Sequence, residues 1–272
     1  MSEASLPFIY EKSGAVAMFT LNRPAARNAL TPELVCRFAD AIRDFVEDPV
    51  LRVGILTGTG DKAFCAGGDL GTMLPLVSGD RPAADDWDRR VLDDPFVMAA
   101  SSLRDFPIDK PLIAAINGAC MAGGLEIMLG TDIRIAAEHA VFGLPEVRRG
   151  VIPFAGSLVR LVRQIPHGLA MELMLTGDAV TALQAQRFGL INHVVPAIDL
   201  LPKALEIAHR IAANGPLAVQ AVKRTVRDTS GLPLEQAYAL ENEAKRVVMA
   251  SHDAREGPRA FMEKREARFK GQ

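Results

Sequence analysis

The chain has 272 residues, of which 49% are hydrophobic, and its formal net charge is −2. This length and apolar content are sufficient for one or two domains with a sizeable buried core. A nearly neutral charge is poorly suited to a nucleic-acid-binding surface, and no run approaches the roughly 18 uninterrupted apolar residues of a membrane span. We therefore expect a soluble protein with neither a nucleic acid nor a membrane as partner.

The N-terminal half alternates between strand and helix patterns. Residues 15–21 and 53–57 are short apolar runs typical of strands. Between them, Thr31 is a good N-cap and Pro32 suits the first helical position. Apolar side chains then recur at helical spacing, at Leu34, Val35, Phe38, Ile42 and Phe45. This alternation predicts an α/β fold.

A glycine-rich loop follows the second strand pattern, over residues 58–70. Its Gly-x-Gly-x-x-Ala pattern is a weak match to a dinucleotide fingerprint, because Gly67 and Gly68 would interrupt the helix that this motif requires. The Gly-Lys-Ser/Thr sequence of a phosphate-binding loop does not occur either. The loop does offer backbone N–H groups around Ala66, which could form one half of an oxyanion hole.

A second glycine turn contains the first of two unusual glutamates. Residues 111–117 have a buried-strand pattern, and a helical pattern begins after Gly123 and Gly124. Glu126 would fall in the first turn of that helix, where free N–H groups and the helix dipole stabilise an anion and favour the ionised carboxylate. A favourable first-turn acid with no catalytic role is the alternative on local grounds.

Glu146 is the second glutamate in apolar, glycine-marked surroundings, at the end of residues 142–146. A buried carboxylate without a partner is costly or becomes neutral, so two of them suggest a working pair. Two carboxylates around one water repel each other when both are ionised. We therefore expect one pKa of the pair to rise and leave a proton to donate.

The remaining segments carry weaker signals. Residues 76–109 are polar and interrupted by prolines, and we expect mobile helices there, bordering a binding pocket. Helical patterns then cover 158–165, 169–175, 181–188, 199–213, 216–228 and 234–249, which predicts a helical C-terminal third. Basic residues between 255 and 270 alternate with acidic ones, which favours a solvated helical face over a nucleic-acid patch.

Several motifs occur in order along nearly the whole chain. The central ones are 64–70 (FCAGGDL), 110–118 (KPLIAAING), 122–126 (AGGLE), 131–136 (TDIRIA) and 142–146 (FGLPE). The flanking ones are 21–24 (LNRP), 28–30 (NAL), 175–177 (LTG), 189–192 (GLIN) and 256–265 (EGPRAFMEKR). Together they resemble the enoyl-CoA hydratase/isomerase (crotonase) family.

The resemblance implies an α/β crotonase-like (ClpP/crotonase) fold, which is a spiral of repeated strand-strand-helix turns. It implies a spiral core with the active site over residues 1–200. Residues 201–272 would form a helical region used for trimerisation and for covering the acyl-CoA site. The assembly would be a homotrimer or a dimer of trimers.

The resemblance also implies an acyl-CoA thioester as substrate and roles for individual residues. The backbone N–H groups of Ala66 and Gly123 would hold the thioester oxygen. Glu126 would orient and deprotonate water, and Glu146 would deliver a proton to carbon 2. Besides Ala66, substrate or CoA contacts are expected at Arg23, Ala26, Lys62, Gly67, Gly68, Asp69, Leu70, Gly118, Phe154, Phe261 and Lys264.

The presence of both glutamates favours an enoyl-CoA hydratase, because relatives that hydrate double bonds carry both. Phe154 is the main departure, since the family commonly has a small residue in a Pro-Gly-Ala-Gly-Gly turn at this place. Its ring would either narrow the acyl pocket or pack in the core, as large apolar side chains mostly do. Isomerisation or carnitinyl-CoA-type dehydration therefore stays open as an alternative, with a non-enzymatic RNA-binding protein on the same fold as a remote one.

Neither a metal nor a separate cofactor is expected, because CoA is part of the substrate. The five histidines have no ligand-like spacing, and the sequence has no Gly-x-Ser-x-Gly elbow for a serine nucleophile. Cys36, Cys65 and Cys120 are odd in number and widely spaced, which favours free thiols in a reducing compartment. With no secretory signal pattern, the cytoplasm is the expected location.

Overall fold

The computed structural model describes residues 6–272. The strands are β1 (Phe8–Ser13), β2 (Val16–Leu21), β3 (Val53–Gly58), β4 (Ala63–Cys65), β5 (Leu112–Ile116), β6 (Ala119–Met121), β7 (Ile133–Ala137), β8 (Val141–Gly143), β9 (Val180–Thr181) and β10 (His193–Val195). The α-helices are α1 (Pro32–Glu47), α2 (Met73–Val77), α3 (Asp86–Asp93), α4 (Pro95–Ser101), α5 (Gly123–Met128), α6 (Ser157–Gln164), α7 (His167–Thr176), α8 (Ala182–Arg187), α9 (Leu200–Ala212), α10 (Pro216–Thr229), α11 (Leu234–Met249) and α12 (Asp253–Met262). Short 3₁₀ segments lie at Pro24–Ala26, Pro145–Arg149 and Ala197–Asp199.

A six-stranded sheet in the order β1-β2-β3-β5-β7-β10 forms the centre of the fold. Its strand pairs are parallel except for the β1-β2 hairpin. β3 and β5 are buried at every residue, as is usual for parallel strands covered on both faces. Phe38 and Phe45 of α1 pack on one face, and Leu200 and Ala204 of α9 pack on the other. The predicted α/β class is confirmed.

A second, smaller sheet has the strand order β4-β6-β8-β9. The chain contributes one strand to each sheet in turn, as β3 then β4, β5 then β6, and β7 then β8. A helical segment follows each pair of strands, so the strand-strand-helix repeat implied by the resemblance is confirmed. The repeat matters for function because β4 and β6, which both lead into glycine turns, become parallel neighbours.

Helix α1 forms for the reasons that its sequence indicates. The Thr31 side chain accepts a hydrogen bond from the backbone N–H of Leu34, and Pro32 occupies the first turn. The apolar residues of the predicted stripe are buried. Because the helix is tied down at its start and along one face, it fixes the loop that precedes it, which carries Arg23 and Asn28.

The other predicted elements agree within a few residues, with one omission. Strand β6 lies between the predicted strand at 111–117 and the helix of Glu126, where the sequence suggested only a turn. Residues 76–109 include α3 and α4. The division at residue 200 falls at the first residue of α9 and stays a prediction. Among the helices of residues 6–272, none is long and apolar enough to cross a membrane.

Candidate active site

Glu126 lies in the first turn of α5, and its side chain is turned into the protein. The residue is 3% exposed. Its Oε1 accepts hydrogen bonds from the backbone N–H of Ala155 at 2.8 Å and of Ser157 at 3.1 Å, and from the Ser157 hydroxyl at 2.9 Å. An oxygen that accepts three donors is best satisfied as a carboxylate. A solvent-facing first-turn acid would not be held in this way.

The second oxygen of Glu126 is left for another partner. Across residues 6–272, no side chain or backbone group donates a hydrogen bond to Oε2. A carboxylate oxygen without a donor is a natural place for a water or a substrate hydroxyl to bind. The carboxylate is therefore anchored on one side and open on the other.

Glu146 lies in the 3₁₀ segment Pro145–Arg149 and has the opposite surroundings. Its Oε2 is buried and has no hydrogen-bond partner in the described part of the chain. Burial, with a further contribution from the charge of Glu126, raises the pKa of Glu146 to about 7, while its own backbone N–H and Arg149 act the other way. Near neutral pH, Glu146 therefore holds a proton for part of the time and can donate it.

Two backbone N–H groups beside these glutamates are free. Gly123 is the first residue of α5, so its N–H has no partner within the helix. It follows Ala122, which adopts φ 52° and ψ −129°, a conformation that an L-residue rarely takes and that sets the direction of the next peptide. On the upstream turn, the Gly68 N–H has no acceptor among residues 6–272.

The structure corrects the donor predicted for the upstream turn. The N–H of Ala66 donates to the carbonyl of Arg27 at 3.0 Å, so it is not free to bind a ligand oxygen. The N–H of Gly67 donates to the sulfur of Cys65, and that of Asp69 donates to the Leu30 carbonyl. Gly68 is therefore the free donor of this turn.

The two glycine turns pack directly against each other. A Cβ placed on Gly123 would lie 3.7 Å from the Gly68 nitrogen, and one on Gly124 would lie 2.5 Å from the carbonyl oxygen of Cys65. Gly67 has φ +96°, and a Cβ there would lie 2.7 Å from the Ala122 Cβ. Glycine is required at Gly124 and Gly67 because larger residues would push the turns apart.

The other predicted contact residues have varied surroundings. Arg23 forms an ion pair with Asp69 at 2.9 Å and also donates to the Ala29 carbonyl, so both side chains hold the upstream loop. Gly118 is buried against the backbone of Lys62, and this close packing is a sufficient reason for a glycine at this position. Leu70 is 62% exposed. Lys62 is exposed, and Ala26 is partly exposed in the first 3₁₀ segment.

Phe154 does not pack in the core, because 56% of it is exposed. Its carbonyl accepts a hydrogen bond from Arg104 at 3.0 Å, which holds the turn before Ala155. Phe261 is 82% exposed near the end of α12, and Lys264 lies two residues beyond that helix and is exposed. Neither Phe261 nor Lys264 forms a hydrogen bond with the two glutamates within the described chain.

Ser157 and Gly68 are the residues that sequence reasoning undervalued. Ser157 lies in the same segment as Phe154 and takes the last position of the Pro-Gly-Ala-Gly-Gly turn that is common in the family. Because serine is common at the start of a helix, the local sequence does not predict that its hydroxyl binds a glutamate 31 positions away. Among the described residues, no cluster of His, Cys, Asp and Glu resembles a metal site.

Comparisons with known proteins agree with this fold. The profile of the family described as enoyl-CoA hydratase/isomerase matches residues 11–272. Enoyl-CoA hydratase EchA19 of Mycobacterium tuberculosis is 45% identical over 96% of this chain and 95% of its own length. Carnitinyl-CoA dehydratase of Salmonella paratyphi A is 36% identical over 96% of this chain and 97% of its own.

A solved structure supports the same assignment. Enoyl-CoA hydratase EchA1 of Mycobacterium marinum superposes with a TM-score of 0.86 and 36% sequence identity, covering 98% of this chain and all of that one. A whole-chain similarity at this identity reflects common ancestry as well as a common fold. The chain belongs to the enoyl-CoA hydratase/isomerase family.

Proposed function

We propose that the protein is an enoyl-CoA hydratase, which adds water across the 2,3-double bond of a 2-enoyl-CoA thioester. The observation that carries this proposal is the contrast between two neighbouring carboxyl groups. Glu126 is held by three donors on one oxygen, whereas Glu146 has a buried oxygen without a partner and a pKa raised to about 7 by burial and by the charge of Glu126. Because their environments differ in this way, Glu146 is suited to act as the acid and Glu126 as the base.

The backbone donors of Gly68 and Gly123 supply the electrostatic part of the mechanism. Addition of water places negative charge on the thioester oxygen, and two free N–H groups aimed at that oxygen stabilise it. The N-terminus of the short helix α5 carries a partial positive charge, which also stabilises this negative charge. This pair replaces the predicted pair of Ala66 and Gly123, because the Ala66 N–H is already used.

The proton steps follow from the two carboxyl groups. The water oxygen forms a bond to carbon 3 while Glu126 removes one of its protons at Oε2. Glu146 gives its proton to carbon 2, which completes the 3-hydroxyacyl product. Glu126 then holds a proton and Glu146 is ionised, so a proton must return from Glu126 to Glu146 before the next cycle. The reaction consumes one water and requires no redox cofactor.

A second candidate is the reverse direction on a hydroxyacyl-CoA, as in carnitinyl-CoA-type dehydration. The 36% identity to carnitinyl-CoA dehydratase supports it, because the same acid and base serve elimination as well as addition. Double-bond isomerisation is a further candidate within the family. Non-enzymatic RNA binding has no support from a net charge of −2.

We also propose how the substrate and the subunits are arranged. Ala26, Lys62, Leu70, Phe261 and Lys264 are exposed or partly exposed and are available to contact CoA, with Phe261 and Lys264 acting within or across subunits. Exposed apolar residues on the C-terminal helices support a homotrimer or a dimer of trimers; they are Val222, Val226, Leu234, Tyr238 and Met249. The three buried free cysteines support a reducing, cytoplasmic location.

The test is a panel of 2-enoyl-, 3-enoyl- and 3-hydroxyacyl-CoA thioesters of increasing chain length. Loss of the conjugated double bond is followed optically, and each product is identified by mass spectrometry. Hydration predicts products that are one water heavier than 2-enoyl substrates. Conversion of 3-enoyl substrates to conjugated products without a gain in mass would indicate isomerisation and contradict the main proposal.

A further inference from the structure

Ser157 supplies two of the three hydrogen bonds that hold Glu126. Its backbone N–H and its hydroxyl both donate to Oε1, at 3.1 and 2.9 Å. The residue is fully buried and is the first residue of α6, directly after Gly156. The backbone bonds from Ala155 and Ser157 depend on the chain path, but the hydroxyl bond depends on the identity of the side chain.

The Ser157 side chain does not meet the substrate directly. The residue is fully buried, so a substrate carbonyl cannot reach its hydroxyl. The hydroxyl hydrogen is directed to Oε1 of Glu126. The bond to Glu126 is therefore the interaction by which this side chain can affect the reaction.

We infer that Ser157 is a positioning residue, which restricts proton uptake by Glu126 to Oε2. This inference rests on the proposed function, in which Glu126 is the base. Three donors surround Oε1, so a proton placed on that oxygen would face N–H and O–H hydrogens and break at least one bond. The hydroxyl also fixes the rotation of the carboxyl group, so that Oε2 is presented to the water.

The expected effect of removing the hydroxyl is on proton transfer. The Glu126 carboxyl group is held less firmly, so the proton transfer is slowed while substrate binding, which does not use this hydrogen bond, is largely unchanged. A residue that served only in folding would not lower kcat selectively in this way.

The experiment compares the full-length wild-type protein with Ser157→Ala on the best 2-enoyl-CoA substrate at one fixed pH. We expect kcat to fall about tenfold or more, in keeping with the loss of one hydrogen bond to a charged group. KM should stay within about twofold. Ser102→Ala is the matched control, because it removes another buried hydroxyl, one that donates to the Met98 carbonyl.

A double substitution separates this inference from the function on which it rests. In a Glu126→Gln background, Ser157→Ala should have little further effect, because the group that it positions is already changed. If Glu126→Gln is strongly impaired while Ser157→Ala keeps wild-type kcat, the inference about Ser157 is wrong and the function stands. If Glu126→Gln still hydrates at a nearly normal rate, the mechanism with two carboxylates fails and the role of Ser157 fails with it, whereas the proposed function itself fails only if the wild-type protein does not hydrate 2-enoyl-CoA substrates.

Ser157→Cys serves if the alanine variant does not fold. It keeps the shape of the side chain and provides only a weak donor. A similar fall in kcat with little change in KM is expected. Wild-type behaviour of Ser157→Cys would overturn the inference.

Discussion

Glu146 lies close enough to Glu126 to respond to its charge, and burial together with this repulsion raises the pKa of Glu146 to about 7. As a general acid, Glu146 must be protonated, so hydration should be present below about pH 7 and fall as the pH rises through it. The measurement is kcat against pH on a saturating 2-enoyl-CoA. A rate that is unchanged up to pH 9 would rule out Glu146 as the acid.

The same raised pKa makes a prediction about stability. Folded Glu146 holds a proton that the unfolded chain has released, so its contribution to stability is present below its ordinary pKa of 4.5 and is lost as the pH rises through about 7. Glu146→Gln should therefore stabilise the protein at pH 8 by about 1 kcal/mol, after allowance for partial exposure, and have little effect at pH 4. Thermal unfolding at the two pH values checks this, with a rise of about 2 °C expected only at pH 8.

Loss of either carboxyl group should reduce turnover without unfolding the protein. We expect Glu126→Gln and Glu146→Gln each to lower kcat by at least about 10², as is usual for acid-base residues. Glu138→Gln, an exposed acid just after β7, is the matched control and should remain within about twofold. Nearly normal hydration by either of the first two variants would contradict the mechanism with two carboxylates.

The proposed oxyanion donor at Gly68 can be tested through its backbone. A Cβ on Gly68 has only the Met73 side chain nearby, at 3.8 Å, so Gly68→Ala should fold and keep most of its activity. Gly68→Pro removes the N–H and should lower kcat by about 10²–10³. Equal activity of the two variants, both folded by circular dichroism, would show that the N–H has no role.

Phe154 is predicted to set the acyl-chain preference. Because Phe154 is 56% exposed, Phe154→Ala should change stability by less than about 1 kcal/mol. It should raise kcat/KM for longer acyl chains relative to short ones by about tenfold, if the ring narrows the pocket. Leu175→Ala, which trims an exposed apolar side chain elsewhere, is the control. An unchanged chain-length profile would place the ring outside the substrate path.

Local sequence patterns were sufficient where local physics decides the structure. The Thr31 cap and the start of α5 at Gly123 depend on neighbouring residues, and both could be predicted. Strand β6 was missed because three residues are too few to show a period, although pairing with β4 and β8 stabilises it.

The details of the site depend on residues far apart in the chain. Ala66 and Gly68 offer the same kind of N–H group, and only the bond from Ala66 to the carbonyl of Arg27 decides which of them is free. The two bonds from Ser157 to Glu126 also join separate motifs. The sequence motifs predict which turns form the site, whereas the folded structure shows which N–H and hydroxyl groups in those segments are free or bound.

The parallel pairing of β4 with β6 has a consequence for how far this enzyme can be redesigned. The turns that carry Gly68 and Gly123 are spaced by adjacent strands of one sheet, about 4.8 Å apart, and their spacing does not depend on the chain between them. That intervening chain contains α2, α3 and α4, and Val91, Val97 and Ala100 of α3 and α4 pack in the same core as α1. Exchange of this insert leaves the pairing of β4 with β6 in place as long as those three positions stay apolar. New acyl specificities should therefore be sought by grafting this insert from other family members, with both glycine turns left untouched.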